Sequence, residues 1–134
     1  MRSVIALLGL MACVSNAVAL DCLLCVGSTE SDCSRGDVSG MVVQRCENSL
    51  PALQNTTLSR LALPKNYVQF EEEPAIVTTC VAFAATNGGV TFVERGCGFI
   101  WEGVPICGYM ETLIELLYCS NCDEDKCNFS PINV

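Results

Sequence analysis

Cysteine is the residue type in this sequence that could carry the most chemistry, with 11 cysteines among 134 residues. Two pairs have the spacing Cys-x-x-Cys, at Cys22 and Cys25 and at Cys119 and Cys122. This spacing is used by zinc ligands and by disulfide scaffolds. Zinc needs reduced thiolates, which persist in the cytosol and are oxidised in exported proteins. The compartment of the protein therefore decides which chemistry these cysteines perform.

The N-terminus has the pattern of a secretory signal peptide. Arg2 gives a positive start, residues 4–14 form an uninterrupted apolar run, and Ala17-Val18-Ala19 places small residues where a signal peptidase cleaves. The apolar run is too short to span a bilayer, and the C-terminus has no hydrophobic tail for a lipid anchor. We predict that residues 1–19 are a signal peptide, that residues 20–134 form one domain, and that the product is secreted and extracellular without a membrane anchor.

Removal of this leader changes the cysteine count from odd to even, because it removes Cys13. In an oxidising compartment, an even and dense set of cysteines predicts a disulfide scaffold, here with five bridges and no bound zinc. Spacing alone does not assign the pairing, because ten cysteines can pair in many ways. The ten are Cys22, Cys25, Cys33, Cys46, Cys80, Cys97, Cys107, Cys119, Cys122 and Cys127.

The sequence supplies little for catalysis. It contains no histidine, which excludes Ser-His-Asp triads, Cys-His pairs and histidine metal centres. The carboxylate clusters Glu71–Glu73 and Asp123–Asp125 lack the spaced ligands and turn glycine of a calcium loop, so we interpret them as solvated acidic faces. The sequence has 15 Asp and Glu but only seven Lys and Arg, one of them in the predicted leader. This excess of negative charge disfavours nucleic acid and anionic membranes as partners. We expect no enzyme, no cofactor and no metal site.

Two short motifs point to surface functions. Asn55-Thr56-Thr57 is an N-glycosylation sequon in a proline-punctuated segment, so we predict a glycan on Asn55. Asn128-Phe129-Ser130 also matches the sequon, but a proline follows it, and we expect no glycan there. Arg35-Gly36-Asp37 is the tripeptide that integrins bind, although a glycine-centred turn is the simpler interpretation of it.

The elements that must position these residues are predicted to be mainly β. Residues 75–84 and 90–97 are rich in β-branched and aromatic side chains, and Asn-Gly-Gly at 87–89 favours a hairpin between them. A further short strand is predicted at residues 41–43, running into the fourth mature cysteine. Helical spacing predicts a short amphipathic helix near residues 109–118. The apolar residues that define it are Met110, Leu113, Ile114 and Leu117.

Residues 47–74 differ from the rest of the chain, because they contain no cysteine and have prolines at positions 51, 64 and 74. Proline at these intervals allows at most a short helix, so we predict a mostly extended loop with spaced leucines.

The cysteine spacing resembles that of the three-finger superfamily of lymphocyte-antigen-six and urokinase-receptor domains, which also includes snake neurotoxins. Its members start with Cys-x-x-Cys, as Cys22-Leu-Leu-Cys25 does here, and end with a cysteine, four residues and Cys-Asn, as Cys122 to Cys127-Asn128 does. The triplet Arg95-Gly96-Cys97 and the 119/122 spacing are similar to those of insect members. The long insertion between the fourth and fifth mature cysteines departs from the family pattern.

The resemblance implies a three-finger fold, in which three fingers extend from a palm stapled by disulfides. The hairpin between Cys80 and Cys97 takes the place of the central finger, and Asn128 hydrogen-bonds across the palm to hold the C-terminus. The implied pairs are Cys22–Cys80, Cys25–Cys33, Cys46–Cys97, Cys107–Cys119 and Cys122–Cys127.

The resemblance also implies a secreted, non-enzymatic binding protein that acts on a cell-surface receptor, channel or adhesion partner. One alternative is an extracellular carrier of a small apolar ligand, or a self-associating matrix protein, that uses the 47–74 loop. Another is an integrin ligand acting through Arg35-Gly36-Asp37. Phe83 and Phe92 in the hairpin are the candidate binding residues, because an exposed aromatic side chain is a typical interface anchor. If both pack inward, only stability depends on them.

Overall fold

The computed structural model describes residues 19–47 and 75–134. Within these ranges the chain forms five strands and two short α-helices. In chain order they are β1 (Leu20–Gly27), α1 (Asp32–Arg35), β2 (Val42–Cys46), β3 (Ile76–Asn87), β4 (Val90–Trp101), α2 (Ile106–Glu111) and β5 (Glu115–Cys122), with a 3-10 turn at Val38–Gly40. The expected class, a small disulfide-rich and mainly β protein, is confirmed.

The five strands form one antiparallel sheet in the order β2-β1-β4-β3-β5. Its longest pairing is the predicted hairpin, which runs from Ile76 opposite Trp101 to Asn87 opposite Val90. Gly88 and Gly89 close it with φ values of 60° and 80°, and a two-residue turn with positive φ at both positions matches the natural twist of a hairpin. The hairpin is therefore longer, and its turn tighter, than the sequence pattern predicts.

The short helix lies earlier in the chain than predicted, and the prediction is wrong for residues 112–118, which form a turn and the first half of β5. Helix α2 ends at Glu111, where the Thr112 hydroxyl donates to the Tyr109 carbonyl at 2.7 Å. The chain then turns and pairs with β3 from Glu115 onward. Met110 is fully buried, whereas Leu117 is 47% exposed, because backbone pairing with β3 overrides the helical spacing of the apolar side chains.

Both faces of the central hairpin are covered, so the core is divided. On one face, α2 packs against alternate residues of β3, which are Val81, Phe83 and Ala85. On the other face, Ala82, Ala84 and Val93 pack against Cys33 and against Ile132 near the C-terminus. A third cluster surrounds two buried disulfides at the base of the hairpin.

The structure forms five disulfides, and they join the same pairs that the resemblance implies. Their Cα–Cα distances run from 5.3 to 6.1 Å, which is the ordinary range. Disulfides of this density are typical of proteins folded in an oxidising compartment. In the described part of the chain, no helix has the length and apolar character needed to cross a membrane.

Candidate interaction surfaces

The base of the hairpin, which we call the palm, brings the sulfur atoms of two disulfides together. The Sγ atoms of Cys22, Cys46 and Cys97 lie within 4.8 Å of one another and are buried, a spacing that free thiolates could use to hold a metal. Each of these three cysteines is in a disulfide with a partner in the same chain. The arrangement therefore acts as a covalent staple, since a metal would need the reduced thiolate.

Asn128 closes the palm from the C-terminal side. Its side-chain oxygen accepts from the Leu23 N–H at 3.0 Å, and its amide nitrogen donates to the carbonyls of Leu23 and Val81, each at 2.9 Å. This places Asn128, which is 4% exposed, in the role that the resemblance implies for it. The same bonds occupy the nitrogen that a glycan would modify, which agrees with the expectation of no glycan at this position.

Arg95 is the largest fully buried side chain of the described residues, and no carboxylate in this part of the chain forms an ion pair with it. Its guanidinium donates to four backbone carbonyls. These are Cys33 at 2.7 Å, Asn128 at 2.5 Å, Ser130 at 2.9 Å and Ser34 at 3.4 Å. Burial lowers the pKa of Arg95, and the nearby Tyr118 opposes this shift. A fork of N–H donors is suited to such a set of acceptors, so Arg95 ties β4 to both α1 and the C-terminal segment.

The C-terminal segment is fixed by contacts with α1 as well. Ser34 and Ile132 form two hydrogen bonds with each other. The Ile132 N–H donates to the Ser34 carbonyl at 2.9 Å, and the Ser34 hydroxyl donates to the Ile132 carbonyl at 3.0 Å. Gly36 has φ of 77°, and a Cβ on it would lie 2.1 Å from the Phe129 carbonyl oxygen. Only glycine fits there, since any side chain would collide with the C-terminal segment.

The tripeptide Arg35-Gly36-Asp37 forms a helix end rather than a protruding loop. Arg35 pairs with Asp32 and donates to the Glu30 carbonyl. Asp37 caps the 3-10 turn, and hydrogen bonds from the side chain and backbone of Ser39 lower its pKa. With Gly36 packed against the C-terminal segment, each member of the tripeptide has a structural role, which supports the simpler interpretation of a turn.

The two candidate aromatic residues of the hairpin contact each other on the face that α2 covers. Phe83 and Phe92 meet edge to face, with ring centroids 6.0 Å apart. Phe83 is 4% exposed and lies in the core, so the hypothesis that it is an exposed binding anchor is corrected. Phe92 is half-buried against the same cluster, and its use in binding stays a prediction.

Three exposed valines lie on the same face of the sheet, beyond the part that α2 covers. Val42 is opposite Leu24, and Val26 is opposite Glu94. Directly paired residues and residues two apart in a strand share a face. By this rule Val42, Val26 and Val90 all point to one side, and they are 64%, 67% and 68% exposed. We call these three residues the valine face.

Three predictions lie outside the described residues. The sequon at Asn55 and the leucine-spaced loop over residues 47–74 fall there in whole or nearly so, as does the predicted signal peptide up to residue 18. These stay predictions.

The sequence pattern pointed to Arg95 without assigning it a role. Strand alternation places Arg95 on the same side as Val93, and that side proves to be fully buried. A charged residue in register with a core residue is a signal of a buried polar network. Its partners are backbone carbonyls from distant segments, which no side-chain pattern identifies.

Comparisons with protein-family models, with curated proteins and with solved structures find no significant match for this chain.

Proposed function

We propose that this protein is a secreted, non-enzymatic member of the three-finger superfamily that binds a cell-surface receptor, channel or adhesion partner through its valine face. The observation that carries the proposal is that Val26, Val42 and Val90 lie on one side of the sheet and are the three most exposed large apolar residues of the described chain. Single exposed apolar residues are common on protein surfaces, but a group of them on one side of a sheet is typical of an interaction site.

The rigidity of this surface supports the proposal. Strand β1 carries Val26 and is tied to the hairpin by Cys22–Cys80, while β2 carries Val42 and is tied to it by Cys46–Cys97. A surface whose backbone is already fixed loses little conformational entropy when a partner binds. The exposed valines themselves add little to this cost, because a β-branched side chain has few rotamers.

Charge indicates what kind of partner fits. The chain has a formal net charge of −8, and Glu94 lies on the same side as the valine face, opposite Val26. Complementary potentials favour binding and suppress wrong partners. The expected partner surface is therefore apolar at its centre and basic at its rim.

The experiment is differential capture from intact cells. The secreted wild-type chain and a Val26→Thr/Val42→Thr/Val90→Thr variant are each used to retain cell-surface proteins, with Val43→Thr as the matched control. Threonine keeps the β-branched shape and adds a hydroxyl. The proposal predicts a partner retained by the wild type and by the control and lost from the triple variant. Equal retention by all three chains would contradict it.

A further inference from the structure

A cavity lies at the edge of the sheet where β5 stops short of β3. Strand β3 pairs with β4 from Ile76 onward, but it pairs with β5 only from Cys80 onward. On that side, the described residues place no strand beside residues 76–79. The first turn of α2 approaches the gap and leaves a cavity of about 500 Å³. This volume is in the range of sites that hold small molecules.

The cavity combines an apolar wall with a short polar edge. Its apolar lining comes from β3, β4 and the entry to α2, through Val77, Ile100, Val104, Pro105 and Ile106. Its polar lining comes from Thr78, Thr79, Asn121 and Asp123. Sites for small ligands commonly have this composition, in which apolar walls supply contact area and a few polar groups set orientation.

The polar edge offers acceptors. The Asn121 amide donates to the Thr79 hydroxyl at 3.3 Å, and that hydroxyl donates to the Cys122 carbonyl at 2.9 Å. The side-chain oxygen of Asn121 lies 3.9 Å from the Sγ atom of Cys107. Asp123 is exposed and forms no ion pair with any described residue.

We propose that this cavity binds a small organic cation, namely a primary amine with a short aliphatic or aromatic body. No Lys or Arg of the described residues lines the cavity, and the charged group in its described lining is the Asp123 carboxylate. An ammonium group has three N–H donors and no acceptor, which matches such an edge. A charge-assisted bond to Asp123 is stronger than a neutral one, while the apolar body of the ligand covers Val104 and Ile106.

This site shares no residue with the valine face, so the proposal goes beyond the proposed function and is tested separately from it. The probe is phenethylamine, titrated into the purified secreted protein and followed by the backbone amide shifts of the cavity residues. The neutral analogue 2-phenylethanol and the anionic analogue 3-phenylpropionate are titrated in parallel. The cavity should bind the amine saturably, the alcohol at least tenfold more weakly, and the carboxylate without saturation.

Two variants separate charge from general surface effects. Asp123→Asn removes the charge of an exposed side chain that forms no ion pair with a described residue. It should weaken amine binding at least tenfold while leaving alcohol binding unchanged. Glu124→Gln, at the neighbouring exposed position outside the cavity, should leave both affinities unchanged. Equal binding of amine and alcohol, absence of saturable amine binding, or an unaltered amine affinity in Asp123→Asn would each overturn the proposal.

Discussion

Arg95 and Val26 belong to adjacent residue pairs of the same two strands, and their burial is the reverse of what their chemistry favours. Arg95 is fully buried, although a charged side chain normally stays in water, and Val26 is two-thirds exposed. The two residues are on opposite faces of the sheet, since Arg95 pairs with Cys25 and Val26 pairs with Glu94. One face is therefore sealed by the C-terminal segment, and the other is left open beyond α2.

The difference between these faces indicates that one face of this small disulfide-rich domain stabilises the fold and the other is available for binding. On the sealed face, the Arg95 guanidinium donates to carbonyls of the C-terminal segment, and the Asn128 amide donates from that segment to carbonyls of β1 and β3. The strands of the open face are fixed by the palm disulfides, which tie β1 and β2 to the hairpin. This face therefore needs no covering layer. Stability should therefore depend on the sealed face, and binding should depend on the open one.

The largest effect on stability is expected from Arg95→Ala. This change removes the Arg95 donor from four backbone carbonyls, of which only Ser34 keeps another, the Ile132 N–H, and it opens a cavity. We expect a loss of about 4 kcal/mol in the free energy of unfolding. The measurement is urea unfolding with the disulfides intact. Arg95→Lys is the control, because it keeps the charge but loses the fork, and its loss should be smaller. A loss below about 1 kcal/mol for Arg95→Ala would show that Arg95 does not stabilise the sealed face.

The aromatic pair tests where the boundary between covered and open surface lies. Phe83→Ala removes a core side chain and should cost about 3 kcal/mol in the free energy of unfolding. Phe92→Ala removes a half-buried ring and should cost about 1 kcal/mol, mostly the edge-to-face contact with Phe83. Thermal unfolding of both variants compares them directly. Equal losses would place Phe92 in the core and move the boundary towards the hairpin turn.

Asn128→Ala is expected to cost about 2 kcal/mol, because three buried backbone groups of Leu23 and Val81 lose their partner. Ser130→Ala is the matched control. It destroys the sequon and keeps the Asn128 side chain, so it should leave the unfolding curve and the protein mass contributed by glycans unchanged. A fall in glycan mass on Ser130→Ala would show that Asn128 is modified and is not tied into the palm as described.

The hairpin and the disulfide scaffold could be predicted from the sequence because their signals are local or countable. β-branched runs flank Asn87-Gly88-Gly89, and the cysteine count becomes even once the predicted leader is removed. Strand β1 was not predicted, because its residues alternate weakly and two of them are cysteines. The extent of α2 could not be predicted from the sequence either, because the apolar spacing near Leu113 fits both a helix and a turn followed by an edge strand.

The valine face could not be predicted either, for a different physical reason. Alternation divides strand residues into two sets without saying which set is covered. Coverage depends on where α2 and the C-terminal segment pack, and both positions follow from long-range contacts. Val42 and Val43 are adjacent in sequence, and nothing in their local pattern indicates which of them faces the proposed partner.

The most direct test of the account compares Val42→Thr with Val43→Thr. The two residues are neighbours on β2, both are exposed, and they point to opposite faces of the sheet. Both variants should unfold within about 0.5 kcal/mol of the wild type, because each change is at the surface. Once capture has identified the partner, its affinity for each variant is measured. We expect Val42→Thr to weaken this affinity several-fold and Val43→Thr to leave it unchanged. Equal affinities in the two variants, or a loss confined to Val43→Thr, would contradict the assignment of the open face as the binding surface.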